Sequence, residues 1–386
     1  MSEREQGFDT RLIHAGTPQP RIEGAIATPI FQSAMFEYAG ERDYHDLRYI
    51  RLNNTPNHRV LHEKLAALEG AEEALVAGSG MAAISTTLLA LLDSGDHLLM
   101  QDCLYGGTHD LVHKDFPGLG IRSDTVDGDD PSGWEAKLTP RTKLFYLETL
   151  SNPLLQMPDI ESAVAFARAH GLVTVIDNTF PSPVNFRPAE HGIDLSLHSA
   201  TKYLNGHSDL VAGAVIGSAR LVERVRRKLN HLGGTLDPHA GFLLERGMKT
   251  LGVRVRYQNA SALSFAQALE AHRAVKRVNY PGLASHPRHA RAKQLLDGFG
   301  GMLSFELHGG ADAARRFLER TRLFLKAPSL GGAESLVTRP ATTSHLGLAP
   351  SERERMGITD GLVRVSIGLE TTADLIEDAR QALDAG

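Results

Sequence analysis

The sequence predicts an α/β protein with a large domain built on a mostly parallel sheet and a smaller α+β domain at the C-terminus. The chain has 386 residues, enough for two domains at about 100–200 residues each. Between residues 58 and 240, short apolar runs alternate with helical patterns, which is typical of a mostly parallel sheet with helices on both faces. After residue 240, long helical patterns precede a few strands. We therefore predict an N-terminal segment over 1–57, a large domain over 58–240 and a small domain over 241–386.

The N-terminal segment contains scattered prolines, glycines and aromatic residues and has no regular period. A plain loop of that length is uncommon in a compact protein. Apolar pairs such as Ile30 and Phe31 make it too hydrophobic for a disordered tail. We expect it to pack against another part of the assembly, for example around a neighbouring subunit.

Regular patterns begin at residue 58. Leucines at helical spacing predict a helix over 58–68, and a strand over 74–77 and a helix over 81–92 follow. An acidic residue at its start supports a helix over 159–170. Further predicted strands lie at 97–101, 144–147, 173–176, 195–197 and 211–216. In the small domain, the predicted elements are helices over 241–273 and 285–298 and strands over 302–307, 323–326 and 362–367.

Composition excludes several classes of protein. Lysine and arginine number 41 and aspartate and glutamate 46, giving a net charge of −5, which argues against nucleic acid as a main partner. No stretch approaches the ~18 consecutive apolar residues of a membrane helix, and the first residues do not resemble a signal peptide. We therefore expect a cytoplasmic protein without a membrane partner. The single cysteine, Cys103, permits no intrachain disulfide.

A glycine-rich turn at residues 78–83 is the first candidate for chemistry. The sequence Gly-Ser-Gly-Met-Ala-Ala follows a predicted strand and opens a predicted helix, whose N-terminal amides can bind an anion such as a phosphate. The same letters fit the G-x-G-x-x-A turn of dinucleotide-binding proteins, with Asp102 about 20 residues further on. A glycine-rich turn without a ligand explains this motif, taken alone, equally well.

Two further candidates follow predicted strands. Asp177 stands at the carboxyl end of one strand, the edge where open α/β sheets bind ligands, and could be a metal ligand, a cofactor partner or a helix cap. Lys202 follows the strand over 195–197, where burial can remove the charge of an amine and make it a nucleophile or base. A surface lysine is the alternative. The hydroxyls of Ser199 and Thr201 beside it favour function, because they are suited to hold a phosphate oxygen.

Together these groups match the requirements of pyridoxal 5'-phosphate (PLP). That cofactor needs a phosphate site, an aspartate at its ring nitrogen and a lysine that forms a Schiff base. A nicotinamide cofactor needs neither the aspartate nor the lysine. The combination therefore favours PLP.

Arg364 is a lone cation in the apolar strand predicted over 362–367. It shares one face with Leu362 and Ser366. An unpaired buried charge is costly, so the guanidinium needs an anionic partner. That partner is either a protein carboxylate or a substrate carboxylate held in the bidentate geometry that arginine favours.

Other candidates point to structural roles. The histidine pairs 58/62 and 109/113 have the spacing of helical metal ligands, but no third ligand is evident, and we predict no metal. Cys103 is interpreted as a small buried residue rather than a nucleophile.

With these motifs in place, the chain resembles the Cys/Met metabolism family of PLP enzymes, the group of cystathionine γ-lyase, γ-synthase and β-lyase, over nearly its whole length. Many ordered matches are far more specific than any one motif. The resemblance implies the fold-type I architecture and PLP as the cofactor. The matching stretches lie at 49–51, 79–83, 105–108, 148–153, 177–179, 199–209, 329–335 and 362–364.

The resemblance also implies a role for each site residue. Lys202 would form the Schiff base and move protons between substrate carbons in quinonoid chemistry. Tyr105 would stack on the ring and act as an acid or base near the leaving group, and Asp177 would pair with the ring nitrogen. The remaining implied contacts are those to the phosphate, from Gly80, Met81, Ser199 and Thr201 and from the neighbouring subunit's Tyr49 and Arg51, and those to the substrate carboxylate and the ring oxygen, from Asn152, Ser329 and Arg364. A site shared in this way implies a homo-oligomer, at least a dimer and by resemblance a dimer of dimers.

A few positions bear on the choice of reaction. Gly107 stands where methionine γ-lyases usually carry cysteine, and Leu330 where bacterial β-lyases often carry tryptophan. Arg48 replaces an acidic residue common in γ-acting members, the loop at 53–56 reads Asn-Asn-Thr-Pro instead of the usual Asn-Pro-Thr order, and Pro328 occupies a position that often influences reaction choice. We predict a carbon–sulfur lyase acting on cystathionine, an amino-acid substrate, by γ-elimination. The alternatives are γ-replacement on an O-acyl-homoserine by a thiol, β-elimination, a catalytically silent binding protein and a nicotinamide dehydrogenase.

Overall fold

The computed structural model describes residues 6–384, and within them the named strands form two sheets. Residues 1–5 of the predicted N-terminal segment and the last two of the small domain lie outside the described part. In chain order the elements are α1 (Phe8–His14), α2 (Pro56–Glu69), β1 (Glu73–Ala77), α3 (Gly80–Leu91), β2 (His97–Gln101), α4 (Gly106–Asp110), β3 (Arg122–Val126), β4 (Thr142–Glu148), α5 (Ile160–His170), β5 (Val173–Asp177), α6 (Ser182–Asn185), β6 (Leu195–His198), β7 (Gly213–Gly217), α7 (Ala219–Leu232), α8 (Pro238–Met248), α9 (Leu251–Glu270), β8 (Val275–Asn279), α10 (His289–Leu295), β9 (Met302–Leu307), α11 (Gly310–Arg320), β10 (Leu336–Thr338), α12 (Pro350–Arg355), β11 (Leu362–Ser366) and α13 (Thr372–Asp384).

The larger sheet has seven strands in the order β1-β7-β6-β5-β4-β2-β3. Its neighbours pair in parallel, except that β7 runs antiparallel to both β1 and β6. Apolar side chains alternate between its two faces: Val175 of β5 is buried in a cluster with α3 and α7, and Ile176 in a cluster with α2 and α5. The prediction of a mostly parallel sheet covered by helices on both faces is therefore confirmed.

Local signals in the sequence determine where the helices begin and end. The side chain of Asp159 accepts a hydrogen bond from the Ser162 amide at 3.0 Å and caps α5, and Gly171 ends that helix in a left-handed conformation. Pro56 occupies the first turn of α2, directly after its N-cap Thr55. The acidic residue that predicted the start of α5 is thus its N-cap.

The smaller sheet is antiparallel, with the order β10-β11-β9-β8. Its core joins side chains from α9, α11 and α13, including Phe265, Phe317 and Leu375. The strands of the two sheets fall within 73–217 and 275–366, and the division of the chain into domains at residues 57 and 240 stays a prediction. Within residues 6–384, no helix combines the length and the hydropathy needed to span a membrane.

Several element predictions were wrong, and the reasons are physical. The helix predicted over 241–273 is two helices, α8 and α9, and the one over 285–298 is the shorter α10. The strand predicted over 323–326 makes only a single bridge, from Leu325 to Leu336. The described part of the N-terminal segment is not wholly irregular: it contains α1, whose Leu12 carbonyl accepts a hydrogen bond from Lys64 at 2.9 Å, and the first two residues of α2. The missed strands β3, β8 and β10 all lie at sheet edges. In β3 and β8, side chains exposed to water interrupt the apolar run, and β10 is buried but only three residues long.

Candidate active site

A cavity of about 830 Å³ opens at the carboxyl ends of the parallel strands. It lies beside β4 and β2, where the strand order of the large sheet reverses, the place where open α/β sheets bind ligands. The small sheet closes the cavity from the other side through residues 328–330, 342–348 and β11. The cavity brings together the predicted residues Gly80, Met81, Tyr105, Asn152, Asp177, Ser199, Thr201, Lys202, Ser329 and Arg364.

The glycine-rich turn forms an anion cradle at the start of α3. Ser79 is the N-cap, and its hydroxyl accepts a hydrogen bond from the Ala82 amide at 2.9 Å. A Cβ at Gly80 would lie 2.8 Å from Cβ of Ser199, so only glycine lets the helix start approach the serine. The hydroxyl of Thr201 is engaged locally, since it accepts from the Ala212 amide at 3.0 Å and donates to the Ala212 carbonyl at 3.2 Å. The first amides of α3 and the Ser199 hydroxyl are therefore the groups suited to hold a phosphate.

Asp177 lies at the end of β5 with its carboxyl group against the next loop. The Thr179 amide donates to Oδ1 at 2.9 Å. Burial raises the pKa of Asp177, while the hydrogen bonds from Thr179 and the nearby His198 oppose that rise. The hydroxyl of Thr179 in turn accepts a hydrogen bond from the Ser199 amide at 2.8 Å. Thr179 thus links the end of β5, which carries Asp177, to the end of β6, where the loop to Lys202 begins.

A second carboxyl group, that of the buried Glu148, stands beside Asp177. The two residues are register partners on β4 and β5. The Tyr105 amide donates to Glu148 at 2.5 Å and the Asn152 amide at 3.3 Å. Burial and the neighbouring Asp177 raise the pKa of Glu148 well above its ordinary value. Glu148 opens the matching stretch at 148–153, but the sequence did not predict it as a site residue, although it ends an apolar strand just as Asp177 does.

Lys202 points at Ser329 from the other side of the cavity. Its Nζ donates to the serine Oγ at 2.7 Å. Burial and the positive charge of Arg364 lower the pKa of Lys202 to about 8. The backbone of Ser329 is held at a φ of 92°, a left-handed conformation that is costly for a side-chain-bearing residue and typical of functional sites. The lysine is therefore a half-buried amine with a sizeable neutral fraction near pH 8.

Arg364 of β11 is buried, with 6% of its surface exposed. Its Nη1 donates to Asn152 Oδ1 at 3.0 Å and its Nη2 to the Ser329 carbonyl at 3.1 Å. Burial lowers the pKa of Arg364 to about 10. Among residues 6–384 its guanidinium forms no ion pair with a protein carboxylate within 4.0 Å. Of the two partners that the sequence left open, a ligand carboxylate is the one that fits.

Tyr105 stands at the cavity mouth, directly before α4, with 41% of its surface exposed. A Cβ at Gly107 would lie 2.6 Å from the Tyr105 ring and 3.0 Å from the Met81 sulfur. The tyrosine ring thus occupies space that any side chain at position 107 would need.

His345 is a cavity residue that sequence reasoning missed. It is buried, and its Nδ1 lies 2.9 Å from the Ser344 hydroxyl. Burial and the charge of Arg364 lower the pKa of His345 to about 4, so the imidazole is neutral at physiological pH. The loop at 342–348 brings it to the site from a distant part of the chain. The sequence at 340–345 also resembles the γ-acting members of the family, but it predicted no role for His345.

Tyr49 and Arg51 lie outside the cavity of their own chain. They line a separate surface groove with other residues of the N-terminal segment. Arg51 donates to the Asn230 carbonyl at 2.8 Å, contacts the Tyr44 hydroxyl and stacks near the Tyr49 ring at 5.4 Å. Within one chain these two residues therefore do not reach the phosphate cradle.

The remaining candidates have structural surroundings. The rings of His109 and His113 stack at 4.1 Å, and in the described part of the chain no three potential ligands of the His, Cys, Asp or Glu type gather at one point. Burial raises the pKa of Cys103 to about 12, which keeps the thiol protonated. Cys103 behaves as a small buried residue.

The residues present fit PLP. The start of α3 with Ser199 could hold its phosphate, and Asp177 offers a half-buried acceptor for its ring nitrogen. Lys202 offers a partly neutral amine for its carbonyl carbon. Each group comes from a different loop at the same edge of the large sheet.

Comparison with known proteins agrees with this geometry. The family model described as Cys/Met metabolism PLP-dependent enzyme matches residues 9–384. L-Methionine γ-lyase of Pseudomonas putida is 42% identical, with 100% of this chain and 99% of that protein covered. Cystathionine β-lyase of Lactococcus lactis subsp. cremoris (strain MG1363) is 41% identical, with coverage of 97% and 98%. Chloroplastic cystathionine γ-synthase 1 of Arabidopsis thaliana is 40% identical, over 97% of this chain and 68% of that protein.

Solved structures match equally well. The crystal structure of metB from Corynebacterium glutamicum has a TM-score of 0.95 at 36% identity and covers 100% of both chains. Cystathionine γ-lyase from Lactobacillus plantarum, complexed with L-serine, has a TM-score of 0.93 at 36% identity, covering 98% of this chain and 99% of that chain. These matches extend over the whole described fold, including both sheets and the cavity between them. The chain therefore belongs to the Cys/Met metabolism family of PLP-dependent enzymes, a family of lyases and synthases with the fold-type I architecture.

Proposed function

We propose that this enzyme cleaves the carbon–sulfur bond of L-cystathionine by γ-elimination, consuming one molecule of water and releasing cysteine, 2-oxobutanoate and ammonia. The observation that supports an amino-acid substrate is the environment of Arg364. Its buried guanidinium donates to two neutral oxygens, those of the Asn152 side chain and the Ser329 carbonyl. It shares the cavity with Lys202 and Asp177. A substrate carboxylate supplies the missing anion, and two parallel hydrogen bonds match the fork of the guanidinium.

The chain's own residues have distinct tasks in this reaction. When bound, PLP supplies an electron sink for the substrate's α-carbon. Lys202 Nζ, with its pKa lowered to about 8, takes up and returns protons at the substrate carbons, which requires a base that titrates near the working pH. Asp177 holds a proton on the ring nitrogen. Ser329 fixes the direction of Nζ through its 2.7 Å hydrogen bond, and Tyr105 lies at the mouth, where a departing sulfur can be protonated.

The cavity supports a long substrate. Its volume of about 830 Å³ is near the upper end of the ~300–1,000 Å³ typical of ligand pockets, so space remains beside the cofactor for an amino acid extended past its γ-carbon. Leu330 lines the cavity, where bacterial β-lyases often carry tryptophan, and Gly107 stands where methionine γ-lyases usually carry cysteine. These two positions favour γ-elimination from cystathionine over the other lyase reactions.

Product analysis tests the proposal. The purified enzyme with PLP should convert L-cystathionine to 2-oxobutanoate, which chromatography after derivatisation separates from pyruvate. L-Methionine, assayed in parallel, should give far less keto acid. Pyruvate from cystathionine would mean β-elimination and would overturn the weight placed on Leu330. The variant Lys202→Ala serves as the inactive control.

γ-Replacement is the second candidate. The 40% identity to cystathionine γ-synthase 1 of Arabidopsis thaliana favours it. Arg48 favours it too, because γ-acting members often carry an acid there to meet the distal amino group of the substrate, and a cation suits a neutral or anionic distal group instead. In this case the enzyme would release the acid from an O-acyl-homoserine and join a thiol to the γ-carbon. A thioether product from O-succinyl- or O-acetyl-homoserine plus cysteine, without keto acid from cystathionine, would select this reaction.

We also propose that the functional unit is a homo-oligomer in which Tyr49 and Arg51 complete a neighbour's phosphate site. Tyr49 is exposed, and both residues line a surface groove separate from their own cavity, which supports this arrangement. Mixing Lys202→Ala with Arg51→Ala subunits, each weak alone, should restore about a quarter of the activity, because a mixed dimer has one intact site. No recovery after subunit exchange verified by mass spectrometry would contradict it.

A further inference from the structure

The side chain of Glu148 connects two cavity residues that are far apart in the sequence, Tyr105 and Asn152. Its two carboxyl oxygens accept one backbone amide each, from Tyr105 at 2.5 Å and from Asn152 at 3.3 Å. The side chain is buried, with 4% of its surface exposed. A buried amide without an acceptor costs free energy, so both amides depend on this one carboxyl group for their place.

The two anchored residues serve different ends of the substrate. Tyr105 directly precedes α4, and its ring stands at the cavity mouth. Asn152 presents its side-chain oxygen to Nη1 of Arg364 at 3.0 Å, the group that would meet the substrate carboxylate. A shift of Glu148 therefore moves both the mouth and the carboxylate contact.

We infer that Glu148 is a positioning residue that fixes Tyr105 and the Asn152–Arg364 pair in one geometry, so that leaving-group chemistry and carboxylate recognition are set together. The inference rests on the proposed function, because it uses the roles proposed there for Tyr105 and Arg364. It assigns Glu148 no contact with substrate.

The surroundings of Glu148 agree with a role in hydrogen bonding. Burial and the neighbouring Asp177 raise its pKa, and the hydrogen bonds from the Tyr105 and Asn152 amides oppose that rise. Each amide donates to a different oxygen of the carboxyl group, so the two loops are tied to the same side chain.

The variant Glu148→Gln tests this inference, because its amide group can accept only one of the two backbone N–H bonds. We expect KM for L-cystathionine to rise by about 10-fold or more, as for a buried donor left without a partner. The dissociation constant of PLP, measured by visible absorbance on titrating the cofactor back into the apoenzyme, should also rise several-fold. The PLP dissociation constant can be measured without turnover of substrate.

A double-mutant cycle separates a shared geometry from two independent effects. Asn152→Ala alone should raise KM, and Glu148→Gln combined with Asn152→Ala should raise it little further, since contacting residues couple. Multiplying effects in the double variant, or wild-type KM and PLP affinity in Glu148→Gln, would overturn the inference. If Glu148→Gln fails to fold, Glu148→Asp keeps the carboxyl group but withdraws it by one methylene, and a wild-type KM there would overturn the inference equally.

Asp378 provides the matched control. It is also a buried carboxylate that accepts backbone amides, from Arg322 at 3.0 Å and Leu323 at 2.9 Å, but it lies on α13, outside the cavity. Asp378→Asn should lower the melting temperature and leave KM unchanged. Failure of the wild-type enzyme to release 2-oxobutanoate would count against the proposed function instead, and the PLP titration would still report on Glu148.

Discussion

Replacing Arg364 with methionine should separate substrate binding from stability, because the two are expected to change in opposite directions. The guanidinium is buried, and burial lowers the pKa of Arg364 from its ordinary value to about 10. That lowering corresponds to roughly 3 kcal/mol of cost for keeping the charge in the folded enzyme. Methionine has a similar length and carries no charge, and replacing a buried ion by an apolar group is often neutral or stabilising.

Substrate binding should suffer strongly from the same change. Each hydrogen bond to a charged group contributes about 1.5–3 kcal/mol, and a bidentate carboxylate contact has two, so KM should rise by about 100-fold or more. PLP affinity should stay within about threefold, since Arg364 lies away from the phosphate cradle. The assay is steady-state release of keto acid together with thermal unfolding of the PLP-bound enzyme.

Arg187 is the control for losing an arginine as such. It is paired with Glu190 at 3.0 Å and Asp297 at 2.8 Å, outside the cavity, so Arg187→Met should lower the melting temperature and leave KM unchanged. An unchanged KM in Arg364→Met would refute the carboxylate assignment. A large loss of stability there would instead mean that the guanidinium is held by a protein anion.

The remaining predictions concern the lysine and the cavity mouth. Because the pKa of Lys202 is lowered to about 8, its neutral fraction in the apoenzyme rises about tenfold per pH unit below 8, so the rate at which added PLP becomes fixable by borohydride should rise likewise and level off above pH 8. Lys202→Ala should abolish turnover and borohydride fixation while some PLP stays bound by the phosphate cradle; measurable turnover would disprove its role. Gly107→Ala places a Cβ 2.6 Å from the Tyr105 ring and should lower kcat several-fold, whereas Gly118→Ala, with nothing within 4 Å, should not; equal activities would show that the ring moves freely.

The sequence predicted that Asp177 and Lys202 meet at one edge of the sheet, because parallel strands bring their carboxyl ends together there, and both residues line the cavity. Asp177 and Lys202 each follow a buried strand, and their convergence follows from topology alone. Glu148 has the same position on β4, yet its role depends on which amides come within reach of its two oxygens. Those amides belong to loops, whose paths the strand pattern does not determine.

The substrate side of the site was harder to predict. The unusual cation at Arg364 could be recognised in its apolar strand, but its partner could not, because Asn152 and Ser329 are 212 and 35 residues away in sequence. His345 comes from a loop that no periodic pattern describes. For Tyr49 and Arg51 the limit is different, since the site they are proposed to serve belongs to another copy of the chain.

The position of the cavity between the two sheets has a consequence for how such enzymes diversify. The large sheet supplies the anion cradle, the carboxylate and the lysine, whereas the 328–330 and 342–348 segments beside the small sheet face the rest of the cavity. Residues of these segments that do not contact Lys202 can therefore vary while Asp177, Ser199 and the start of α3 keep their positions. Relatives named as γ-lyases, β-lyases and γ-synthases are all about 40% identical to this chain. Their different activities fit such a history, in which the residues on the large sheet stay constant and those on the opposite side of the cavity change.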